Sequence, residues 1–290
     1  MSQFDITIAT CRPLPEPDPD EAPLLDALAQ AGLRARLCAW HDRTVDWSLS
    51  PLTIIRSTWN YYHDRAGFVD WAERVTTVSE LQNSASVVRW NSHKGYLLEL
   101  ARRGVRVVPS ELIEAGQAAS LEAICAAHNW SHVVVKPAVS AGSFETHTMR
   151  AGALDTTTFA RLMAERDVLV QPYIDAVDTY GERSLIVIDG ELSHSVRKHP
   201  RFAGQHEQIS GPHPITPAER AFSRQVLASF DEALLYARVD LVPDVDGQPM
   251  LTELELIEPS LFFRFSPEAL ARLVGAIESR LRARLAFLAQ

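Results

Sequence analysis

The sequence predicts an α/β amino-terminal domain that runs into α+β structure, and three observations carry the prediction. Short apolar runs alternate with amphipathic stretches through the first third, the pattern of βαβ units on a parallel sheet. Further on, Asp189-Gly190 and Asp246-Gly247 each lie between apolar runs, a strong signal for tight hairpins and so for antiparallel sheet. With 290 residues, 46% of them apolar and 22% charged, the chain is long enough to bury a full core in one or two compact units.

The elements follow in order. Residues 4–9, 35–39 and 52–56 read as strands, and residues 22–31 as a helix stopped by Gly32. The Pro/Asp-rich stretch 13–20 is a loop. A helix over 64–80 and another over 92–103, capped by Ser92 and stopped at Gly104, come next. Residues 105–108 are extended, 118–127 helical and 133–136 a strand; 137–143 (PAVSAGS) form a small-residue loop before another strand. Strands 184–188 and 192–197 flank Asp189-Gly190. After a polar stretch from 199 to 217 come a helix over 218–230, a hairpin around Asp246-Gly247 and a closing helix over 267–288.

The formal net charge is -9, with no Lys/Arg-rich run to neutralise successive phosphates, so neither nucleic acid nor an anionic membrane is an expected partner. No apolar run approaches the roughly 20 residues that span a bilayer. The opening MSQFDITIAT has no basic segment followed by an apolar one, which makes the cytoplasm the expected location. Cys11, Cys38 and Cys125 are odd in number, widely spaced and set among apolar neighbours, which favours buried free thiols over disulfides or metal ligands.

The second hairpin carries the chemistry. A two-residue turn at Asp246-Gly247 sets Asp240 opposite Glu253 and Arg238 opposite Glu255, all on one face. Opposed side chains lie about 5 Å apart, where like charges repel unless a cation stands between them. Magnesium bridged to phosphates is such a cation, because it takes oxygen ligands from one or two carboxylates and from substrate. Val239, Leu241, Leu254 and Leu256 occupy the opposite, core-facing side. A hairpin whose acids merely face water carries the same pattern, and Pro243 and Pro249 leave the register open to a slip of one residue.

Basic and small residues sit where a nucleotide needs them. Lys136 ends an apolar strand and leads into a loop holding Ser140, Gly142 and Ser143, where backbone N–H groups and an ammonium can approach phosphate oxygens. A surface lysine beside an ordinary turn is the plainer reading. Gln171-Pro172-Tyr173-Ile174 closes another strand and can offer backbone groups to an adenine edge. Glu182 can accept from ribose hydroxyls, with Asp178 as rival, and Arg197 and Lys198 point basic groups toward the same region.

In this order, Lys94, Lys136 with its Ser/Gly loop, Gln171-Pro-Tyr-Ile, Glu182, Arg238-Val-Asp240 and Glu253-Leu-Glu255 resemble the ATP-grasp superfamily over residues 89–265. The resemblance implies an ATP-grasp fold: an N-terminal parallel-sheet domain (1–88), then a central module (89–172) and a C-terminal module (173–290) that clasp ATP. It implies that Lys94 and Lys136 contact phosphates beneath the loop 140–143, and that Gln171, Tyr173 and Ile174 frame adenine. Glu182 holds the ribose, and Asp240, Glu253 and Glu255 ligate magnesium. Arg238, with Arg197 and Lys198 nearby, steadies the transferred phosphoryl group. D-alanine–D-alanine ligases look similar here but usually carry Asn where this chain has Glu255, which leaves the number of metal ions open.

The segments Ile55-Arg-Ser-Thr-Trp-Asn-Tyr-Tyr62, Arg89-Trp-Asn-Ser-His-Lys94 and Gly181-Glu-Arg-Ser-Leu-Ile-Val-Ile-Asp-Gly190 are similar to the D-cycloserine synthetase branch of that superfamily. That branch implies antibiotic biosynthesis: the carboxylate of O-ureido-D-serine is activated, and the substrate's own aminooxy-type nitrogen closes a five-membered ring. Arg56, Ser57 and Trp59 then become contacts for a small amino-acid-like substrate, and a homodimer is the family expectation. A buried Trp and a structural Arg are the plainer reading of those positions.

The rival readings are an intermolecular carboxylate–amine ligase and a nucleotide-binding protein without catalysis. A Ser/His/Asp hydrolase is disfavoured by the lack of a Gly-x-Ser-x-Gly elbow, and a zinc site by the lack of HExxH spacing. His199, His206 and His213 lie in the long polar stretch 199–217, a surface segment and a candidate lid.

Overall fold

The structure is a computed structural model describing residues 3–199 and 208–290. Its first sheet comprises β1 (Ile6–Thr10), β2 (Ala35–Ala39), β3 (Leu52–Ile55) and β4 (Glu80–Gln82), in the order β2-β1-β3-β4, every pair parallel. Helices α1 (Glu21–Gln30) and α2 (Arg65–Thr76) complete the expected βαβ pattern. Asp64 caps α2 by accepting the Gly67 N–H. That helix ends four residues earlier than expected, because 80–82 pair with β3; with one apolar residue in three, β4 has no strand signature of its own.

The helix expected over 92–103 is present as α4 (Tyr96–Arg102), and a further helix, α3 (Ala85–Asn91), precedes it. Ser84 caps α3, accepting from Val87 N–H, whereas Gly95 and not Ser92 stands at the start of α4, and the Ser92 hydroxyl accepts from Arg65 Nε at 2.9 Å. The break between the helices lets Lys94 N–H reach the Ala138 carbonyl at 2.7 Å, which brings Lys94 under the loop 138–146.

The middle sheet, ordered β5-β8-β6-β7, is antiparallel: β5 (Glu111–Ile113), β6 (His132–Pro137), β7 (His147–Arg150) and β8 (Val168–Pro172). Helices α5 (Leu121–His128) and α6 (Thr156–Glu165) cover it through Leu121, Cys125, Phe159 and Leu162. The sequence reading lacked β5 and α6.

A short helix α7 (Ala176–Thr179) precedes the third sheet, which orders as β11-β10-β9-β12-β13, all antiparallel. Its strands are β9 (Glu182–Ile188), β10 (Glu191–His199), β11 (Gln208–Ser210), β12 (Tyr236–Pro243) and β13 (Pro249–Glu255), with helices α8 (Pro217–Leu227) and α9 (Pro267–Leu288). Asp189 and Gly190, both at positive φ, form the two-residue turn that sets Ile188 opposite Glu191. Of the stretch 199–217, residues 200–207, His206 among them, lie outside the described residues. The part after them is tied to the sheet by β11 and by the Arg183 guanidinium, which donates to the Pro214 carbonyl at 2.8 Å.

Strand alternation gives the third sheet two different faces. Leu185, Val187, Val239, Leu241 and Leu254 pack with α3, α4 and α8. Ile186, Ile188 and Tyr236 turn the other way, into a core shared with the first sheet, α1 and α9. Arg238 and Asp240 continue the Tyr236 row. Hence they emerge where the first and third sheets meet. Asp20 closes that junction by accepting the N–H groups of Leu261, Phe262 and Phe263 at 2.6, 2.9 and 3.0 Å.

Candidate active site

The expected pairing of β12 with β13 is present: Asp240 opposes Glu253 and Arg238 opposes Glu255. It arises by a different route. Gly247 N–H donates to Asp244 and Asp244 N–H to Gln248, so the loop holds three residues, 245–247, with Gly247 at φ 75°. That displaces the register by one, setting Leu241 opposite Leu251. A bulge between Asp240 and Leu241 restores it.

Protein cations separate the acids of this face. Arg238 donates to both Asp240 oxygens at 2.9 and 2.8 Å and also pairs with Glu255. Lys198 reaches Asp240 at 2.8 Å and Glu182 at 2.5 Å, and Lys94 reaches Glu253 at 2.5 Å. Burial alone would raise the Asp240 carboxyl, but Arg238 and Lys198 hold it well below the usual carboxylate range. Burial likewise opposes ionisation of Glu253, and the ammonium groups of Lys94 and Lys136 bring it down to about 2. Burial raises Glu255 to about 7, only partly offset by Arg238 and reinforced by Asp240 and Glu253.

The three expected metal ligands are therefore not gathered into a metal cage; among the described residues no group of three His, Cys, Asp or Glu side chains stands ready to hold an ion. Glu253 is drawn to Lys94, and Asp240 and Glu255 to Arg238. The donor set nevertheless fits magnesium: hard carboxylate oxygens of Asp240, Glu253 and Glu255 lie on one sheet face, where protein cations now neutralise them.

The residues expected to contact phosphates gather at the loop after β6. Lys94 Nζ also donates to the Ser140 carbonyl at 3.2 Å, and the Tyr61 hydroxyl approaches the same oxygen at 3.5 Å. Gly142 and Ser143 take φ of 58° and 61°, and Phe144 stacks on Tyr62 with centroids 4.5 Å apart, fastening the loop against the first domain. Burial pushes the Lys136 ammonium down, partly countered by Glu253, yet no carboxylate among the described residues comes within ion-pair distance of it. A desolvated ammonium without a counter-ion fits an anionic phosphate. Lys136→Met is accordingly expected to weaken ATP binding about 10- to 100-fold with little change in thermal stability; titration calorimetry checks it, and unaltered affinity would remove Lys136 from the phosphate site.

Some expected contacts point elsewhere. Arg197 neighbours Lys198 on β10 and so faces the opposite side of the sheet, stacking 4.3 Å over the Tyr180 ring. The Tyr173 ring stacks on His132 at 4.1 Å, its hydroxyl donates to Asp178 at 2.6 Å, and its N–H is taken by the His132 carbonyl. Gln171 is buried and donates to Ser110 at 2.8 Å. Ile174 does face an apolar patch, with Val108, Val242 and Met250. Val108 and Met250 were missed because each lies far along the chain from the strand exit. Glu182 accepts from Thr252 at 2.8 Å besides pairing with Lys198.

Arg56, Ser57 and Trp59 follow β3 at the junction of the first and third sheets. Arg56 is 4% exposed and lies 5.2 Å over the Tyr236 ring. Ser57 donates to Asp18 at 2.6 Å, and Trp59 Nε1 to the Glu258 carbonyl at 3.0 Å. Sequence reasoning missed Glu258, which burial and then Glu255 raise to about 8. Its place three residues beyond Glu255 was the available signal. Cys11, Cys38 and Cys125 are free thiols. No helix among the described residues is long and apolar enough to cross a membrane.

Comparison with known proteins adds four findings. Residues 6–83 match the family model described as D-cycloserine synthetase DcsG, N-terminal domain. The cycloserine biosynthesis protein DcsG of Streptomyces lavendulae is 33% identical over 283 residues, covering 91% of this chain and 95% of that one. A crystal structure of D-cycloserine synthetase DcsG superposes with a TM-score of 0.88 at 32% identity, over 95% of this chain and 99% of the other. D-alanine–D-alanine ligase from Bacillus anthracis, solved in complex with ATP, shares the fold at a TM-score of 0.68 and 14% identity, over 98% and 99% of the two chains.

Proposed function

Because the chain belongs to the D-cycloserine synthetase family of ATP-grasp ligases, we propose that it phosphorylates the carboxylate of O-ureido-D-serine and closes the resulting acyl phosphate to D-cycloserine. It is an ATP-dependent, ADP-forming ligase that makes a C–N bond. The observation that supports the finer reading best is the convergence of Arg56, from the first domain, and Arg238, from β12, on the junction beside the acidic face. A substrate carboxylate held there lies next to the groups that manage the phosphoryl charge. The three sheets support a division into 1–88, 89–172 and 173–290.

Bound Mg-ATP supplies the phosphoryl group and a divalent charge that offsets its oxygens. Asp240, Glu253 and Glu255 are the residues that would hold the metal, and Lys94 and Lys136 would hold the phosphates. Arg238 is fixed by Asp240 and Glu255 and stacked 5.7 Å from the Phe262 ring, so its guanidinium is oriented before the charge develops. Lys94 ties the phosphate loop to Glu253, coupling closure of that loop to the acidic face. Ring closure places the nucleophile on the substrate itself: its nitrogen bonds to the acyl carbon as phosphate leaves, and atom balance then requires one water to hydrolyse the carbamoyl group from that nitrogen as carbon dioxide and ammonia.

Adding O-ureido-D-serine alone to enzyme and Mg-ATP is expected to release ADP and yield the ring, with no second amine. ADP release that appears only with a carboxylate and an added amine would replace this reading with an intermolecular ligase.

A further inference from the structure

Among the described residues, most charges around the junction of the first and third sheets balance in pairs; besides Lys136 on the phosphate loop's strand, two do not, and they are of opposite sign. Asp240 has Arg238 and Lys198, Glu253 has Lys94, Glu255 has Arg238, Glu182 has Lys198 and Thr252, and Asp20 has three backbone N–H groups. Glu258 is the first exception. Its carboxylate is half-buried, and no donor among the described residues hydrogen-bonds to it. Arg56 is the second. Its Nη2 reaches Asp20 only at 3.8 Å, and its buried Nη1 has no partner.

The backbone segments that carry the two exceptions share one anchor. The Tyr236 hydroxyl donates to the carbonyls of Ile55 and Ile257, at 2.9 Å to the latter, and these are the residues immediately before Arg56 and Glu258. Trp59 Nε1 fastens the Glu258 carbonyl from the first domain. One buried hydroxyl and one indole therefore fix, at the same junction, the backbone that carries an unpaired guanidinium nitrogen and the backbone that carries an unpaired carboxylate. Tyr61 and Tyr236 both feel the Glu258 charge, so aromatic side chains stand near it.

An unpaired carboxylate among other carboxylates is costly, and a cation relieves it. The neighbouring protein cations, Lys94 and Arg238, already serve Glu253, Asp240 and Glu255. The elevation of Glu258 to about 8 by burial and by Glu255 agrees with a missing positive charge. A primary ammonium near aromatic rings suits such a place, and one oppositely charged site beside it suits a carboxylate.

We propose that Glu258 is the counter-ion for the α-ammonium of the substrate, with Arg56 engaging its carboxylate, so that the pocket selects an unblocked α-amino acid. The assignment rests on the ligase reading above and sharpens it. Glu258 is then the residue that sets specificity for the free amine, while Arg238 and the acidic face carry the phosphoryl chemistry.

The test compares O-ureido-D-serine with its desamino counterpart, 3-(ureidooxy)propanoate, by ADP release from the full-length enzyme at saturating ATP. Wild type is expected to favour the amino substrate about 100-fold in kcat/KM, and Glu258→Gln to bring the two within about 5-fold, mostly by raising KM for the amino substrate. ATP affinity and melting temperature should stay near wild type, and Glu258→Asp should recover part of the preference. Equal use of the two substrates by wild type, or a preference kept by Glu258→Gln, overturns the assignment and leaves cyclisation standing. ADP release with D-serine plus an amine, but not with O-ureido-D-serine, retires cyclisation; D-serine against 3-hydroxypropanoate then applies the same comparison to Glu258. No ADP release with any amino acid overturns both.

Discussion

Glu253→Gln is expected to lower ADP-forming turnover about a thousandfold while the protein stays folded. The substitution keeps the side chain's size and removes the charge that a magnesium ion and Lys94 both need. Lys94 is only 8% exposed and loses its 2.5 Å partner, yet it keeps its bond to the Ser140 carbonyl and the nearby fields of Glu255 and Glu258. The cost to stability should therefore stay well short of the roughly 3–5 kcal/mol of an uncompensated buried charge. ADP release measured beside thermal melting separates the two effects. Full turnover in the variant would take Glu253 out of the metal site.

Arg238→Lys should cost about 100- to 1000-fold in kcat although it preserves the positive charge. Arg238 spans two carboxylates at once, meeting Asp240 with Nε and Nη2 and Glu255 with Nη2, and a single ammonium cannot reproduce that fork. Asp240 is 1% exposed and retains Lys198, so the lysine variant should fold. The orientation of the group over the Phe262 ring is what it loses. A fall in kcat with KM for ATP near wild type supports a role in the transferring complex. Unchanged kcat would reduce Arg238 to a structural bridge.

Local patterns translated well where one short-range rule was enough. Asp189-Gly190 set its hairpin by turn geometry alone. Asp240 met Glu253 as expected, although a longer turn and a bulge had to cancel for it to happen. The closing helix runs over Pro267–Leu288 with Ser266 as its cap, again from local signals. The failures share one cause. Ser92 was read as a cap because it precedes a helical pattern, but Arg65 from another helix takes its hydroxyl. The Arg197 side chain goes to Tyr180 and the Tyr173 ring to His132, contacts that depend on strand parity and on one distant stacking partner. Glu258 is ordinary in sequence and unusual only in being left without a donor among the described residues.

By itself the sequence determined the parallel first sheet, the two hairpins, the order of the basic and acidic positions and, from that order, the family. These depend on backbone sterics, turn preference and the period of burial, which act over a few residues. The tertiary structure alone decided which charges meet. Lys94 and Glu253 are 159 residues apart and touch because a break between α3 and α4 and the packing of three sheets bring them together. Such pairings depend on the geometry of distant surfaces, where a shift of one residue turns a side chain to the other face.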